Sequence, residues 1–328
     1  MRIAVFSTKS YDKEYLDRFN AEVNEFIYFE APLNVNTANL TQDFTGVCVF
    51  VNDKLDDATI NTISRNGVKL IVLRCAGFNN VDLDSAKKNN IAVLRVPAYS
   101  PYAVAEHAVA LMLTLARKTH KAYNRIRENN FSLERLNGFN IHGKTVGVIG
   151  TGKIGIAFSR IMLGFGTKVL AYDIAESTEL KKSGVEYTSL NELLKFADII
   201  SLHCPLTTDT KYMINKDTIS SMKTGVMLLN TSRGGLIQTR DVLVALKQSR
   251  IGYLGIDVYE QEETLFFNDL SESIVQDDLI ARLISFPNVL ITAHQGFFTN
   301  EALEQIASTT ISNILSFEKG VLSGNRVA

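Results

Sequence analysis

Four apolar runs in the second half of this 328-residue chain each end in polar residues able to do chemistry. Ile199-Ile-Ser-Leu202 leads into His203-Cys204-Pro205, and Val226-Met-Leu-Leu229 into Asn230-Thr231-Ser232-Arg233-Gly234-Gly235. Tyr253-Leu-Gly-Ile256 leads into Asp257, with Glu260 and Glu262 close behind, and Leu290-Ile-Thr-Ala293 into His294-Gln295-Gly296. An imidazole can exchange a proton near neutral pH. A guanidinium stays charged and grips a carboxylate with a planar fork. Singly, each has a plainer reading. A strand-end arginine is usually a surface charge or structural ion pair. A lone histidine is usually a hydrogen-bonding group, and Asp257 or Glu262 could cap a turn. Ligands of open α/β sheets bind beyond the carboxyl ends of the strands. The coincidence of all these groups at one such rim argues for a reaction site.

A second pattern places a cofactor beside them. The strand-like run Thr145-Val-Gly-Val-Ile149 meets Gly150-Thr-Gly152-Lys153-Ile154-Gly155 and a helix-like segment to Gly164. A further strand, Lys168-Val-Leu-Ala-Tyr172, ends in Asp173, about 20 residues after the first glycine, as a dinucleotide-binding unit requires. Gly150 permits the sharp turn, Gly152 leaves the backbone open to a pyrophosphate, and Gly155 lets helix and strand lie close. The helix N-terminus offers unpaired N–H groups to phosphate. The Asp173 carboxylate suits both ribose hydroxyls of NAD and repels the 2′-phosphate of NADP, so NAD is the expected cofactor.

Composition narrows the class. A formal net charge of −1 makes no electrostatic case for nucleic acid or an anionic membrane. No apolar run approaches a membrane span. The first residues read as a strand and lack the apolar core and cleavage site of a signal peptide. Cys48, Cys75 and Cys204 are widely spaced in apolar surroundings. They read as buried free thiols in a reducing cytoplasm, with neither a disulfide framework nor metal-binding spacing.

Short apolar runs alternate with amphipathic ones almost throughout, the mark of α/β architecture with parallel sheets. Strands are expected at Arg2–Ser7, Glu25–Phe29, Gly46–Val51, Leu70–Arg74 and Ala92–Val96, with helices including Asp56–Arg65 and Leu83–Asn89. Ser100-Pro101 opens an apolar helix to about Lys118, expected to lie buried between domains. Ser271–Arg282 reads as a charged surface loop with a helical turn. The last helix, Glu301–Phe317, is expected to return to the first domain. The expectation is therefore two open, doubly wound, Rossmann-like parallel-sheet domains with a cleft between them. Residues 1–100 plus 298–328 would form a discontinuous, flavodoxin-like substrate domain, and 101–297 the NAD-binding domain.

With these residues assembled, the chain resembles the D-isomer-specific 2-hydroxyacid dehydrogenases along essentially its whole length. The resemblance is carried by Val148–Gly155, His203-Cys-Pro-Leu-Thr207, Asn230–Gly235, Gly255–Glu260 and Thr292-Ala-His294. Arg74–Asn80, Val96–Pro101, Ala103–His107 and Asn130–Leu133 are similar to the fermentative bacterial subgroup that interconverts pyruvate and D-lactate. The resemblance implies Arg233, Glu262 and His294 as the catalytic groups, with Asp257 supporting the histidine or the cofactor. It implies cofactor contacts from Gly150, Gly152, Lys153, Ile154, Gly155, Asp173, His203, Cys204, Pro205 and Thr231. It implies substrate contacts from the backbone of Ala76 and Gly77, from the aromatic positions Tyr99 and Phe297, and from Arg233 and His294. It also implies a homodimer or homotetramer acting on a small 2-keto or 2-hydroxy acid. Tyr102, Gly235 and Gly296 depart from common family variants, and Tyr102 and Gly296 bear on pocket size. Two other readings are an enzyme for a larger 2-keto acid and a non-enzymatic NAD-sensing protein.

Overall fold

Parallel strands buried on both faces need continuous apolar runs, and the first hundred residues supply five of them. The computed structural model describes residues 1–262, 265–321 and 323–328. It divides into two compact units, Met1–Ser100 with Phe297–Ala328, and Pro101–Gly296. The first unit opens with β1 (Arg2–Val5), α1 (Ser10–Asn20), β2 (Glu25–Tyr28) and β3 (Gly46–Val49). It continues with α2 (Asp57–Arg65), β4 (Leu70–Leu73), α3 (Leu83–Lys88) and β5 (Ala92–Arg95). The sheet order is β2-β1-β3-β4-β5, every pair parallel. Aspartates start two of the helices: Asp56 accepts the amide of Thr59, and Asp82 that of Ser85. β1 stops at Val5, short of the expected Ser7, because Ser7 takes a left-handed φ of 51°.

The second unit begins with α4 (Pro101–Arg117) and α5 (Thr119–Arg127). The single apolar helix expected here ends at Lys118, whose φ of 53° breaks it. Then come β6 (Thr145–Ile149), α6 (Lys153–Gly164), β7 (Lys168–Tyr172), α7 (Thr178–Lys182), β8 (Glu186–Tyr187) and α8 (Leu190–Phe196). β9 (Ile199–Leu202), α9 (Lys216–Ser221), β10 (Val226–Asn230) and α10 (Thr239–Lys247) follow. β11 (Ile251–Ile256), α11 (Asp278–Ser285) and β12 (Val289–Ile291) complete it. The sheet order is β12-β11-β10-β9-β6-β7-β8, again all parallel. The chain winds outward from β6 to β8, then returns to β9 on the other side of β6. The winding reverses between β6 and β9, where open α/β sheets bind ligands. α4 packs through Ala108, Met112 and Leu115 into a core that includes Phe158 of α6 and Leu229 of β10. In the expected 271–282 loop, Asp277 caps a two-turn helix, α11, by accepting the amides of Leu279 and Ile280.

The last helix, α12 (Asn300–Glu318), belongs to the first unit. Its Ala307, Ile311 and Ile314 enter the core formed by Ile3, Val5, Leu70 and Val72. Two parallel-sheet α/β domains are thus the architecture that the apolar periodicity predicts. No helix among the described residues is long and apolar enough to cross a membrane.

Candidate active site

The glycine-rich turn sits at the switch point of the second sheet. Gly150 has a φ of +94°, and a Cβ there would lie 2.6 Å from the Cys204 amide nitrogen. The turn therefore packs on the backbone that leaves β9, and His203 donates its amide to the Ile149 carbonyl at 2.7 Å. A Cβ at Gly155 would lie 1.9 Å from the Gly150 carbonyl oxygen, so only glycine lets α6 start this close to the turn. At Gly152 a Cβ would meet nothing within 4 Å. Gly152 caps α6 without any side-chain hydrogen bond, so the first amides of the helix face open space beside exposed Lys153. Ile154 is half-buried against the core. This cradle, backed by a helix N-terminus, fits a dinucleotide pyrophosphate.

Asp173 follows β7. One oxygen accepts the amide and hydroxyl of Thr151 at 2.5 and 3.1 Å, and the other accepts the Ala175 amide at 3.0 Å. Partial burial would raise its pKa, but these hydrogen bonds outweigh that effect and hold the carboxyl below its usual range. It remains an acceptor, as binding ribose hydroxyls demands. Thr231, just beyond β10, has a buried hydroxyl oxygen without a partner among the described residues. That orphaned atom also fits a cofactor.

His203 and Cys204 contribute differently from their neighbours. The His203 ring lies 4.9 Å from that of Phe158, and its Nε2 is 2.8 Å from the Ser201 hydroxyl. Removal from water depresses its pKa to about 3. The imidazole is thus a neutral packing group beneath the turn, and its backbone is what meets the Gly150 loop. Burial pushes the Cys204 thiol up to about 11, which keeps it protonated. Pro205 is exposed, and its carbonyl accepts the Thr210 hydroxyl at 2.7 Å.

At the far side of the same rim, His294 and Glu262 form a pair. His294 Nδ1 lies 2.8 Å from Glu262 Oε1. An ionised carboxylate only accepts, so Nδ1 carries the hydrogen and Nε2 is left for another partner. The other Glu262 oxygen accepts the Tyr259 amide at 2.8 Å, which fixes the carboxylate to the turn after β11. His294 has a left-handed φ of 52°. Asp257, 1% exposed, holds this unusual backbone. Its carbonyl accepts the His294 amide at 2.7 Å, and its carboxylate accepts the amides of Gln295 and Gly296 at 2.9 and 2.8 Å. Burial opposes the charge of Asp257, yet His107, Thr292 and His294 hold its pKa below the ordinary range. Asp257 is thus hydrogen-bonded to the backbone of the loop that carries His294.

Arg233 is placed by Asn230 and Gly234. Asn230, fully buried, donates to the Arg233 carbonyl at 2.9 Å. A Cβ at Gly234 would lie 2.0 Å from the Tyr259 carbonyl carbon, so the arginine loop is pressed against the segment that carries Glu262. The guanidinium donates to the Ser232 carbonyl at 2.7 Å and makes no ion pair among the described residues. Its other donors meet no acceptor among the described residues. Gly235 lies against Leu206.

In the first unit, Ala76 and Gly77 follow the end of β4. The Ala76 carbonyl accepts from Arg95 at 2.6 Å, and the Gly77 carbonyl from the Cys75 thiol at 3.2 Å. Their amides lie in non-regular backbone. Tyr99 and Phe297 meet edge to face at 6.3 Å, and Phe50 adds a third ring 5.7 Å from Phe297. Phe50 is missing from the sequence reading; it ends an apolar run, and only its ring partners distinguish it. Arg74 is committed to the fold: it pairs with Asp12 at 3.2 Å and donates to the carbonyls of Phe6, Ser7 and Cys48.

His107 of α4 is the other residue the sequence reading leaves without a role. Its Nε2 lies 2.9 Å from the Thr292 hydroxyl and 3.3 Å from Asp257 Oδ1. The signal available was a histidine in a helix otherwise almost wholly apolar.

Known proteins match this arrangement over the whole chain. The family profile described as "D-isomer specific 2-hydroxyacid dehydrogenase, NAD binding domain" matches residues 109–296. A 2-hydroxyacid dehydrogenase homolog of Haemophilus influenzae is 50% identical over 328 residues, covering 100% of this chain and 99% of its own. The D-lactate dehydrogenase of Escherichia coli strain K12 is 49% identical, with 100% of both chains covered. Among solved structures, the apo form of D-lactate dehydrogenase from Escherichia coli superposes with a TM-score of 0.91 at 47% identity, again over 100% of both chains. The chain thus belongs to the D-isomer-specific 2-hydroxyacid dehydrogenases, a family of NAD-dependent oxidoreductases, and its second unit carries the family's NAD-binding domain.

Proposed function

We propose that this protein reduces pyruvate to D-lactate, reversibly. The observation that carries the reading is the His294–Glu262 pair, 2.8 Å apart, on a loop braced by Asp257 and on the same sheet rim as Arg233, which makes no ion pair among the described residues. NADH supplies the hydride when bound, in the cradle of Gly150, Gly152, Lys153, Ile154 and Gly155, with Asp173 for the ribose and Thr231 and the His203–Pro205 backbone beside it. Arg233 grips the substrate carboxylate and polarises the C2 carbonyl. His294 donates its proton from Nε2 to the C2 oxygen as negative charge develops there, and in the reverse direction the neutral ring accepts that proton. Glu262 keeps Nδ1 occupied, so Nε2 is the nitrogen that faces the substrate.

The first unit is assigned the substrate domain. The amides of Ala76 and Gly77 bind the carboxylate, while Tyr99 and Phe297 form an apolar wall. A small monocarboxylate suits this set, because Arg74 is already spent on Asp12 and backbone carbonyls and offers no second anion site. The three buried cysteines, reduced thiols rather than disulfides, support a reducing cytoplasm, where the enzyme would serve fermentation. Exposed Tyr123, Ile126, Phe131 and Leu133 support self-association as a homodimer or homotetramer, which light scattering would count.

A panel of 2-keto acids with NADH tests the assignment, followed by chiral analysis of the product. Pyruvate should give the highest kcat/KM and D-lactate should be the product. A clear preference for phenylpyruvate or 2-ketoisocaproate would replace pyruvate with a larger substrate. No turnover with any keto acid would favour an NAD-sensing role.

A further inference from the structure

His107 lies in the middle of α4 with no part in the reaction just described. Its Nε2 approaches two oxygens, Thr292 Oγ1 at 2.9 Å and Asp257 Oδ1 at 3.3 Å. Those oxygens are themselves 2.5 Å apart. A threonine hydroxyl has a single hydrogen to give, and an ionised carboxylate can only accept. The Thr292 hydrogen therefore goes to Asp257. The Thr292 oxygen must accept from His107, and Nε2 of His107 carries a hydrogen. The cluster has one consistent direction of donation: His107 to Thr292, Thr292 to Asp257.

Asp257 in turn accepts the amides of Gln295 and Gly296 through its carboxylate and that of His294 through its carbonyl. Thr292, His294, Gln295 and Gly296 all lie on the loop leaving β12. A left-handed backbone at a non-glycine residue is strained and persists only where its surroundings over-determine it. Here the surroundings are the carbonyl and carboxylate of Asp257, with Glu262 on the ring, and the hydroxyl and imidazole that meet Oδ1 help to orient that carboxylate. The local shape agrees: a Cβ on Gly296 would stand 3.0 Å from Asp257 Oδ2 and 3.5 Å from the His107 ring. The loop is seated directly on the cluster.

We propose that His107 is a positioning residue for His294: through Thr292 and Asp257 it fixes the loop that aims the proton-transferring ring. This rests on the reading of His294 as the proton donor. The role of His107 itself is indirect, since it touches no reacting atom.

The test uses the whole protein with His107→Leu, His107→Gln and Thr292→Val. Leucine keeps apolar bulk but donates nothing, whereas glutamine can place an N–H near the Thr292 oxygen. His107→Leu should lower kcat by roughly tenfold or more, because small displacements of a reacting group are costly. KM for pyruvate and the binary affinity for NADH should change far less. His107→Gln should recover most of the loss, and Thr292→Val should reproduce it. The second readout needs no turnover. With the five histidines labelled with ¹⁵N, the His294 ring is assigned by its disappearance in His294→Gln. In the unliganded wild type it should show a hydrogen localised on Nδ1. That signature should persist in His107→Gln and be averaged or broadened in His107→Leu.

An unchanged His294 signature in His107→Leu would overturn the proposal, as would equal activities of the leucine and glutamine variants. If the leucine variant does not fold, Thr292→Val answers the same question, and an undisturbed His294 ring there would also overturn it. Failure of the parent reading shows elsewhere, as near-normal turnover in His294→Ala.

Discussion

The backbone carbonyl of Asp257 accepts the amide of His294 at 2.7 Å, while the carboxylate of the same aspartate accepts the next two amides of the loop. One residue at the end of β11 thus sets the backbone of the residue we assign as proton donor. Asp257→Asn keeps the shape but turns one acceptor oxygen into a donor facing other donors. We expect about 1–3 kcal/mol of lost stability. We also expect kcat to fall at least about tenfold, with NADH affinity much less changed. Urea unfolding and steady-state kinetics measure both. Because the folded-state pKa of Asp257 is depressed, the stability from its charge is present above the ordinary carboxylate pKa and is lost as pH falls through the folded value.

Arg233→Lys retains the charge and loses the planar fork. If the guanidinium grips the substrate carboxylate and polarises the carbonyl, kcat/KM for pyruvate should fall by on the order of a hundredfold. Melting temperature should barely move, since the side chain makes no ion pair among the described residues. Wild-type kinetics in this variant would remove Arg233 from the mechanism.

Gly152 and Gly155 should separate binding from folding. A methyl at 152 meets no protein atom within 4 Å, so Gly152→Ala should melt like the wild type yet bind NADH poorly. A methyl at 155 would overlap the Gly150 carbonyl oxygen at 1.9 Å. Gly155→Ala should therefore lose both binding and roughly 1–3 kcal/mol of stability, the usual scale of overpacking. Calorimetry with and without NADH tells them apart.

Asp173→Ala should weaken NADH binding roughly tenfold or more, as expected for losing hydrogen bonds to a charged group. It should also narrow the preference over NADPH, because the carboxylate that repels a 2′-phosphate is gone. Titrations with the two reduced cofactors give the ratio. An unchanged ratio would detach Asp173 from cofactor choice.

His203 should make the protein sensitive to acid. Its pKa is about 3 in the folded state, against 6.5 for an unperturbed histidine. Protonation then favours the unfolded chain, and stability present above pH 6.5 drains away as pH falls toward 3. Between pH 7 and 5 the loss from this one ring is about 2 kcal/mol. His203→Gln can still hydrogen-bond Ser201 and does not titrate. Its stability relative to the wild type should improve by about that amount over the same interval.

The sheets were legible in the sequence because strands buried on both faces show as unbroken apolar runs, such as Leu70–Leu73 and Val226–Leu229. The cofactor turn was legible because its three glycines have separate steric reasons to be glycine. What escaped is whatever depends on distant partners. His107 and Thr292 are 185 positions apart, so no local pattern could pair them. Gly234 reads as an ordinary loop glycine until Tyr259 is placed against it. The end of α4 near Lys118 was legible, but the resumption of helix at Thr119 beyond a left-handed lysine was not.

The return of α12 to the first unit has a consequence for biosynthesis. Ala307, Ile311 and Ile314 cover one face of a sheet whose five strands are made within the first 95 residues. A ribosome must add more than two hundred further residues before that cover can emerge. The contiguous second unit can collapse in the meantime, whereas the nascent first sheet waits with apolar side chains exposed. The exposed interval between those two events is where this polypeptide should most need chaperone protection.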